Sequence, residues 1–184
     1  VLCYTGASRF SGGTITRDKN GNPTGELYGH HAMDLVRKFL PARPPELARE
    51  GIRKPQPLLV TTGVTSFSDV YVRGLENVKA YREAGEAGDM IMRGAVYPIL
   101  EYPKDLEGAL KPEPFNSPFM RLGGFKLQID GQAPTAYCHE PHDGITWDKP
   151  YWEAEAFKKT VSTLHDAGHQ ICVHAIGDAG VDLV

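Results

Sequence analysis

Gly124-Phe125-Lys126-Leu127-Gln128-Ile129-Asp130-Gly131 is the stretch on which the fold turns. Side chains alternate along an extended chain, so Phe125, Leu127 and Ile129 share one face and Lys126, Gln128 and Asp130 the other. A strand with one wholly apolar face is covered there by other elements. Where helices cover the outside of a barrel, the apolar set points outward and the polar set points into the interior. The stretch Gln170-Ile171-Cys172-Val173-His174 repeats the pattern, with Gln170, Cys172 and His174 on one face. Ala175-Ile176-Gly177-Asp178 then turns into the start of a helix.

Working outward, Tyr151 to Ala167 has amphipathic spacing, with Phe157, Val161 and Leu164 on one side. Upstream, Gly63 to Val70 and Ile91 to Leu100 read as strands, with a helix between them from Gly74 to Ala87. Ala32, Leu35, Val36 and Leu40 predict a helix that Pro41 stops, and a second begins near Pro45 and is interrupted by Pro55 and Pro57. Gly12 to Gly25 reads as a hairpin about an Asn- and Gly-rich turn. The Pro-rich stretch from Pro103 to Pro118 predicts a long surface loop. Alternation of strands and helices implies an α/β protein with parallel strands joined by right-handed crossovers. Four parallel strands leave two open edges, and the last residues resemble an unfinished helix. The expectation is a part of a larger barrel, truncated at both ends.

The chain has 184 residues and a formal net charge of −3, with both signs interspersed. Nucleic-acid binders rest on Lys and Arg neutralising phosphates, so that class is disfavoured. Cys3, Cys138 and Cys172 are odd in number and widely spaced, which implies neither a disulfide framework nor a zinc knuckle. Reducing surroundings suit them. No apolar run reaches the roughly 18 residues needed to span a bilayer, so no membrane partner is expected of the visible chain. It starts without Met, so localisation stays unknown, with the cytoplasm as default and an upstream leader left open. G-x-S-x-G, P-loop and G-x-G-x-x-G patterns do not occur, which disfavours serine-hydrolase, phosphate and dinucleotide chemistry.

Lys126 and His174 are the candidates for chemistry. A buried ammonium is costly, and a lowered pKa favours the neutral amine. A neutral lysine can combine with carbon dioxide, and the anionic carbamate offers two oxygens able to bridge divalent cations. The alternative is a lysine paired with Asp130 or another interior acid. His174 stands at the carboxyl end of a strand, where barrels and open sheets build their sites. It reads as a metal ligand or as a satisfied core histidine. Asp178 reads as a helix N-terminal acid or a pocket residue. Cys138-His139-Glu140-Pro141-His142-Asp143 reads as a solvent-exposed loop, from which His139 and His142 would contact substrate if functional. Helix-dipole interaction accounts for His165 and His169 beside the stop at Gly168, and His30 and His31 receive no role.

These residues resemble the amidohydrolase superfamily, in the branch of N-substituted formamide deformylase and YtcJ-like proteins, amidohydrolase family 3. The hairpin from Gly12, the strand Gly63-Val-Thr-Ser-Phe-Ser-Asp69, the lysine strand from Gly124 and His174-Ala-Ile-Gly-Asp178 carry the resemblance in that order. It implies a (β/α)8 TIM barrel of the metal-dependent hydrolase type, with residues 1–184 its central part: 1–30 a hairpin region, 31–184 successive strands and helices. Also implied are one or two divalent metals, with zinc the expected ion, and hydrolysis of non-peptide, amide-type C–N bonds in a small molecule by a metal-activated water. Lys126, as its carbamate, and His174 would be metal ligands, and Asp130, His139, His142 and Asp178 would bind substrate. The paired H-x-H histidines, a later histidine and the proton-handling aspartate of the family do not occur among these residues. The chain alone is therefore expected to be inactive. Pro55 and Pro57 depart from a helix unbroken in most relatives. A non-catalytic binding barrel, a lyase or isomerase on the same scaffold, and a homo-oligomer stay open.

Overall fold

The computed structural model describes residues 9–10, 13–41, 44–109, 115–133, 135–141 and 149–184. Among them the chain order is β1 (Arg9–Phe10), β2 (Gly13–Arg17), β3 (Pro23–Tyr28), α1 (His30–Arg37), α2 (Pro45–Arg53), α3 (Gln56–Thr61), β4 (Ser66–Val72), α4 (Leu75–Glu86), β5 (Arg93–Pro98), α5 (Asp105–Ala109), β6 (Met120–Leu122), β7 (Phe125–Gln128), α6 (Ala154–Asp166), β8 (Ile171–His174) and α7 (Asp178–Leu183). Residues 1–41, 128–154 and 173–184 make one unit, and residues 42–127 with 155–172 make a second.

In the first unit the Asn- and Gly-rich turn closes the expected hairpin. The Asp18 carboxylate accepts the backbone N–H groups of Asn20 at 2.9 Å and Asn22 at 2.8 Å. This short acidic side chain thereby supplies the turn's missing acceptors. β2 pairs antiparallel with β3, Ile15 facing Leu27, and β1 adds on the other side. Helix α1 stops at Arg37, short of the predicted Leu40. The N–H groups of Phe39 and Leu40 reach back only three residues, to Val36 and Arg37, and Leu40 is 64% exposed, so no burial extends the helix.

In the second unit β4, β5 and β6 form a parallel sheet, Ser66 opposite Arg93 and Gly94 opposite Met120, with α4 between β4 and β5. This is the parallel α/β alternation the sequence predicts. Val72, Val78, Ala84, Met90, Val96 and Met120 fill its core, with Phe67, Tyr81 and Leu122 packed against them. The stretch predicted as a loop carries α5. The Asp105 carboxylate accepts the N–H groups of Glu101 and Tyr102, at 3.0 and 2.8 Å, and organises this turn. Just beyond the predicted loop, Met120 is 1% exposed and β6 runs beside β5.

The proline interruption divides α2 from α3, but Pro57 lies in the first turn of α3. A proline there forfeits an amide that has no helical partner, so Pro57 starts a helix instead of breaking one. Gln56 next to it is 2% exposed and uses both ends of its amide. Its Nε2 donates to the Ile52 and Asp89 carbonyls, and its Oε1 accepts from Ile91 and Met92 N–H. Phe157, Thr160 and Leu164 form the buried side of α6. Thr160 takes the place predicted for Val161 because its hydroxyl donates to the Ala156 carbonyl at 2.8 Å and so leaves no polar group unmet.

β7 and β8 make a two-stranded sheet. In the second unit Phe125 N–H donates to Gln170 O at 2.8 Å, and in the first Ile129 N–H donates to His174 O at 2.9 Å. The two bonds keep the same offset in sequence, so the strands run parallel. Gly124 makes the approach possible. Its φ is 152°, and a Cβ there would lie 2.1 Å from Gln170 O. The described strands thus lie in three small sheets, and just past the end of β5 an isolated parallel bridge joins Ile99 to Lys126.

Candidate functional site

In the second unit, Lys126 sits between Phe125 and Leu127, both 0% exposed, and is itself only 9% exposed. Its backbone is held by the Leu100 N–H, which donates to Lys126 O at 2.8 Å. Among the described residues no carboxylate pairs with its amine, so the alternative of an interior salt bridge finds no partner here. Burial pushes the amine below the ordinary lysine pKa, while Cys172 acts in the opposite direction. Burial without a counter-ion disfavours the charged form of an amine.

The same unit holds a groove of about 430 Å³ at the carboxyl ends of β4 and β5, lined by Arg73, Leu75, Ile99, Leu100, Glu101 and Lys104. Arg73 pairs with Glu101 and donates to the Tyr71 hydroxyl at 3.2 Å. Burial raises the Tyr71 hydroxyl to about 12, so it stays protonated. Sequence reasoning assigned nothing to Arg73 or Glu101. Their position just past two parallel strands was the available signal, because open α/β sheets bind ligands at that edge.

In the first unit, His174 ends β8 and is half-buried. Asp130 is 0% exposed. Its Oδ1 accepts Ile176 N–H at 2.9 Å, and its Oδ2 accepts Tyr137 N–H at 2.9 Å and Gly177 N–H at 2.7 Å. Asp178 is exposed at the start of α7, and its Oδ1 accepts the N–H groups of Ala179 at 2.8 Å and His139 at 3.0 Å. The His139 ring is exposed, with Nε2 2.8 Å from the Asp182 carboxylate. That hydrogen bond, more than any other influence, raises its pKa above the ordinary histidine value. His142 lies outside the described residues. In the second unit His169 presents its ring edge-on to Phe125, with centroids 4.8 Å apart.

The first unit therefore gathers Asp130, Asp178, His139 and the main chain after His174 around the start of α7, while Lys126 belongs to the second. Among the described residues no group of three or more His, Cys, Asp and Glu side chains is close enough to hold a metal ion. Two observations nevertheless suit cation-binding chemistry. Lys126 is a buried amine without an acid partner, and Gln128 Oε1 is a buried oxygen with no hydrogen-bond donor among the described residues. Buried polar atoms left without partners are uncommon and call for a bound group or water.

Residues 5–184 match the family model of the amidohydrolase family. The chain belongs to that family. It is 27% identical over 185 residues to YtcJ of Bacillus subtilis (strain 168), 94% of this chain and 34% of that protein. It is 26% identical to LONG AFTER FAR-RED 3 of Arabidopsis thaliana, over 94% of this chain and 32% of the relative. The chain thus spans about a third of the length of the curated relatives it matches. Its fold matches crystal structures of uncharacterized metal-dependent hydrolases from Pyrococcus horikoshii OT3 and Pyrococcus furiosus, each with a TM-score of 0.68. Identity to them is 24% and 23%, over 92% of this chain and 36% and 37% of theirs.

Proposed function

We propose that these residues supply part of the metal centre of a hydrolase that cleaves non-peptide, amide-type C–N bonds in a small molecule, with Lys126 and His174 as ligands. The observation that carries this reading is Lys126, 9% exposed and without an acid partner among the described residues. Family membership and the likeness to metal-dependent hydrolases support it. In this reading residues 31–184 are the central strands and helices of a (β/α)8 barrel and residues 1–30 a hairpin region beside it. The parallel sheet β4-β5-β6, with α4 between its first two strands, supports that assignment.

Burial lowers the pKa of Lys126 and so favours the neutral amine, the form that attacks carbon dioxide. A C–N bond forms, one proton leaves to solvent, and the lysine ends as an anionic carbamate with two donor oxygens. His174 offers an imidazole nitrogen, the commonest protein metal donor. A divalent cation held by these groups, zinc in one or two copies, would supply Lewis acidity toward a carbonyl and toward water. His139 and Asp178, exposed beside α7, are assigned to substrate contact together with His142. Asp130 is buried against main-chain amides and is assigned to holding the backbone instead.

The test is metal analysis and turnover of the full-length protein against a panel of amides and N-acyl compounds, with Lys126→Ala and His174→Ala alongside. Both variants are expected to lose metal and amine release together. Unchanged metal content in both would return the protein to the reading of a barrel that binds without catalysis, and non-hydrolytic products would favour a lyase or isomerase.

A further inference from the structure

We infer that Asp130 is a positioning residue for His174: its buried carboxylate fixes the main chain that leaves β8, and through it the direction in which the imidazole is offered to a cation. The inference rests on the proposed metal centre and adds a residue to it.

The geometry is specific. Three backbone N–H groups converge on this carboxylate, from Tyr137, Ile176 and Gly177. Ile176 and Gly177 precede α7, whose helical residues begin at Asp178. The carboxylate therefore does not satisfy the helix's own first amides. It holds the loop between His174 and the helix. The neighbouring residue completes the grip, because Ile129 N–H donates to His174 O at 2.9 Å. The Ile129 N–H and the Asp130 carboxylate thus hold the main chain at positions 174, 176 and 177.

Two glycines keep this arrangement close. A Cβ at Gly177 would lie 1.8 Å from Tyr137 O, and a Cβ at Gly180 would lie 2.9 Å from Asp130 Oδ2. Tyr137 is itself tied in twice, since its N–H reaches Asp130 and its carbonyl accepts Gly180 N–H at 3.1 Å. An amide in place of the carboxylate turns one acceptor into a donor facing N–H groups. Asp130→Asn is therefore nearly isosteric yet unable to hold all three amides. Residues that orient a metal ligand without touching the metal commonly govern its affinity.

The experiment compares full-length wild type, Asp130→Asn, His174→Ala and a control, Thr135→Val. Thr135 is buried in the same unit, where it accepts the Tyr151 hydroxyl at 3.1 Å and donates to Gln132 O, but it makes no contact of this kind with the loop after His174. Zinc affinity is measured by chelator competition. Backbone hydrogen exchange at Ile176 and Gly177 is followed in metal-free protein, with Tm recorded for all. Asp130→Asn is expected to speed exchange at both amides and to weaken zinc binding by roughly 10- to 100-fold. Thr135→Val is expected to lower Tm with zinc affinity kept near wild type. If Asp130→Asn does not fold, Asp130→Glu takes its place. It keeps both acceptor oxygens but displaces them by one methylene, and the same loss of affinity is expected.

Zinc affinity that follows Tm equally in both substitutions overturns the inference, as does unchanged affinity in Asp130→Asn. If His174→Ala keeps its zinc, the metal-centre reading and this inference fall together. If His174→Ala loses zinc and the Asp130 variants do not, the metal centre stands and only the positioning role falls.

Discussion

Lys126 and Asp130 stand four residues apart in the chain, and both are buried, yet their charges meet opposite surroundings. Asp130 is matched by three main-chain N–H donors, while Lys126 has no acid partner among the described residues. A matched buried carboxylate stabilises a fold, because removing it strands its donors. An unmatched buried amine instead costs stability in its charged form. The pair teaches that one segment carries both a carboxylate matched by main-chain donors, at Asp130, and the amine proposed as a ligand, at Lys126.

The strongest way to break this contrast is Asp130→Ala. Each buried N–H left without an acceptor costs about 1–3 kcal/mol, so losing the acceptor of three is expected to destabilise by roughly 3 kcal/mol or more. Urea unfolding measures it, and a loss under about 1 kcal/mol would remove Asp130 from the architecture.

Lys126→Met sharpens the other side, with a smaller effect of opposite sign. The pKa of Lys126 is depressed on folding, so between its folded value and the ordinary lysine value of 10.5 the unfolded chain holds more protons. Wild-type stability should therefore rise as pH climbs through that window, and the burial cost is felt in full below it. The substitution is expected to raise stability at neutral pH in metal-free, bicarbonate-free protein, with the gain shrinking toward alkaline pH. Parallel stability–pH curves for the two proteins would show that Lys126 is not an unmatched charge.

The smallest effect is expected at His139. Its pKa is raised by Asp182, so its contribution is complete below the ordinary histidine value of 6.5 and is lost as pH rises through the folded value. The pair is exposed and screened by salt. His139→Ala should lower Tm slightly in mildly acidic, low-salt buffer and leave it unchanged in alkaline buffer. A Tm loss independent of pH would mean that the ring acts by packing.

Much of this was legible because period and chemistry are local. Alternation along 125–130 fixed which residues share a face, and Phe125, Leu127 and Ile129 are all 0% exposed. The proline break between α2 and α3 follows from missing amides and ring sterics, properties that proline carries anywhere. What stayed illegible depends on partners distant in sequence. Gln56 looks like a surface glutamine until Asp89, Ile91 and Met92 bring their backbone groups to it. The groove residues Arg73 and Glu101 lie 28 positions apart and pair only once two parallel strands align their ends. Met120 draws β6 beside β5 through burial in a core whose other members begin at Val72.

The sequence by itself determined the alternation of elements, the buried lysine strand, the histidine strand and the family to which they belong. Those properties rest on backbone period and on residue types in order, which need no partner to be read. Only the tertiary structure decided that Asp130 is surrounded by main-chain donors while Lys126 lacks an acid among the described residues, because hydrogen-bond satisfaction depends on which distant backbone groups arrive. A carboxylate and an amine written on the same face of a strand are equivalent as pattern. Their surroundings, assembled from residues 137, 176 and 177 for one and from apolar neighbours for the other, make one a support and the other a candidate ligand.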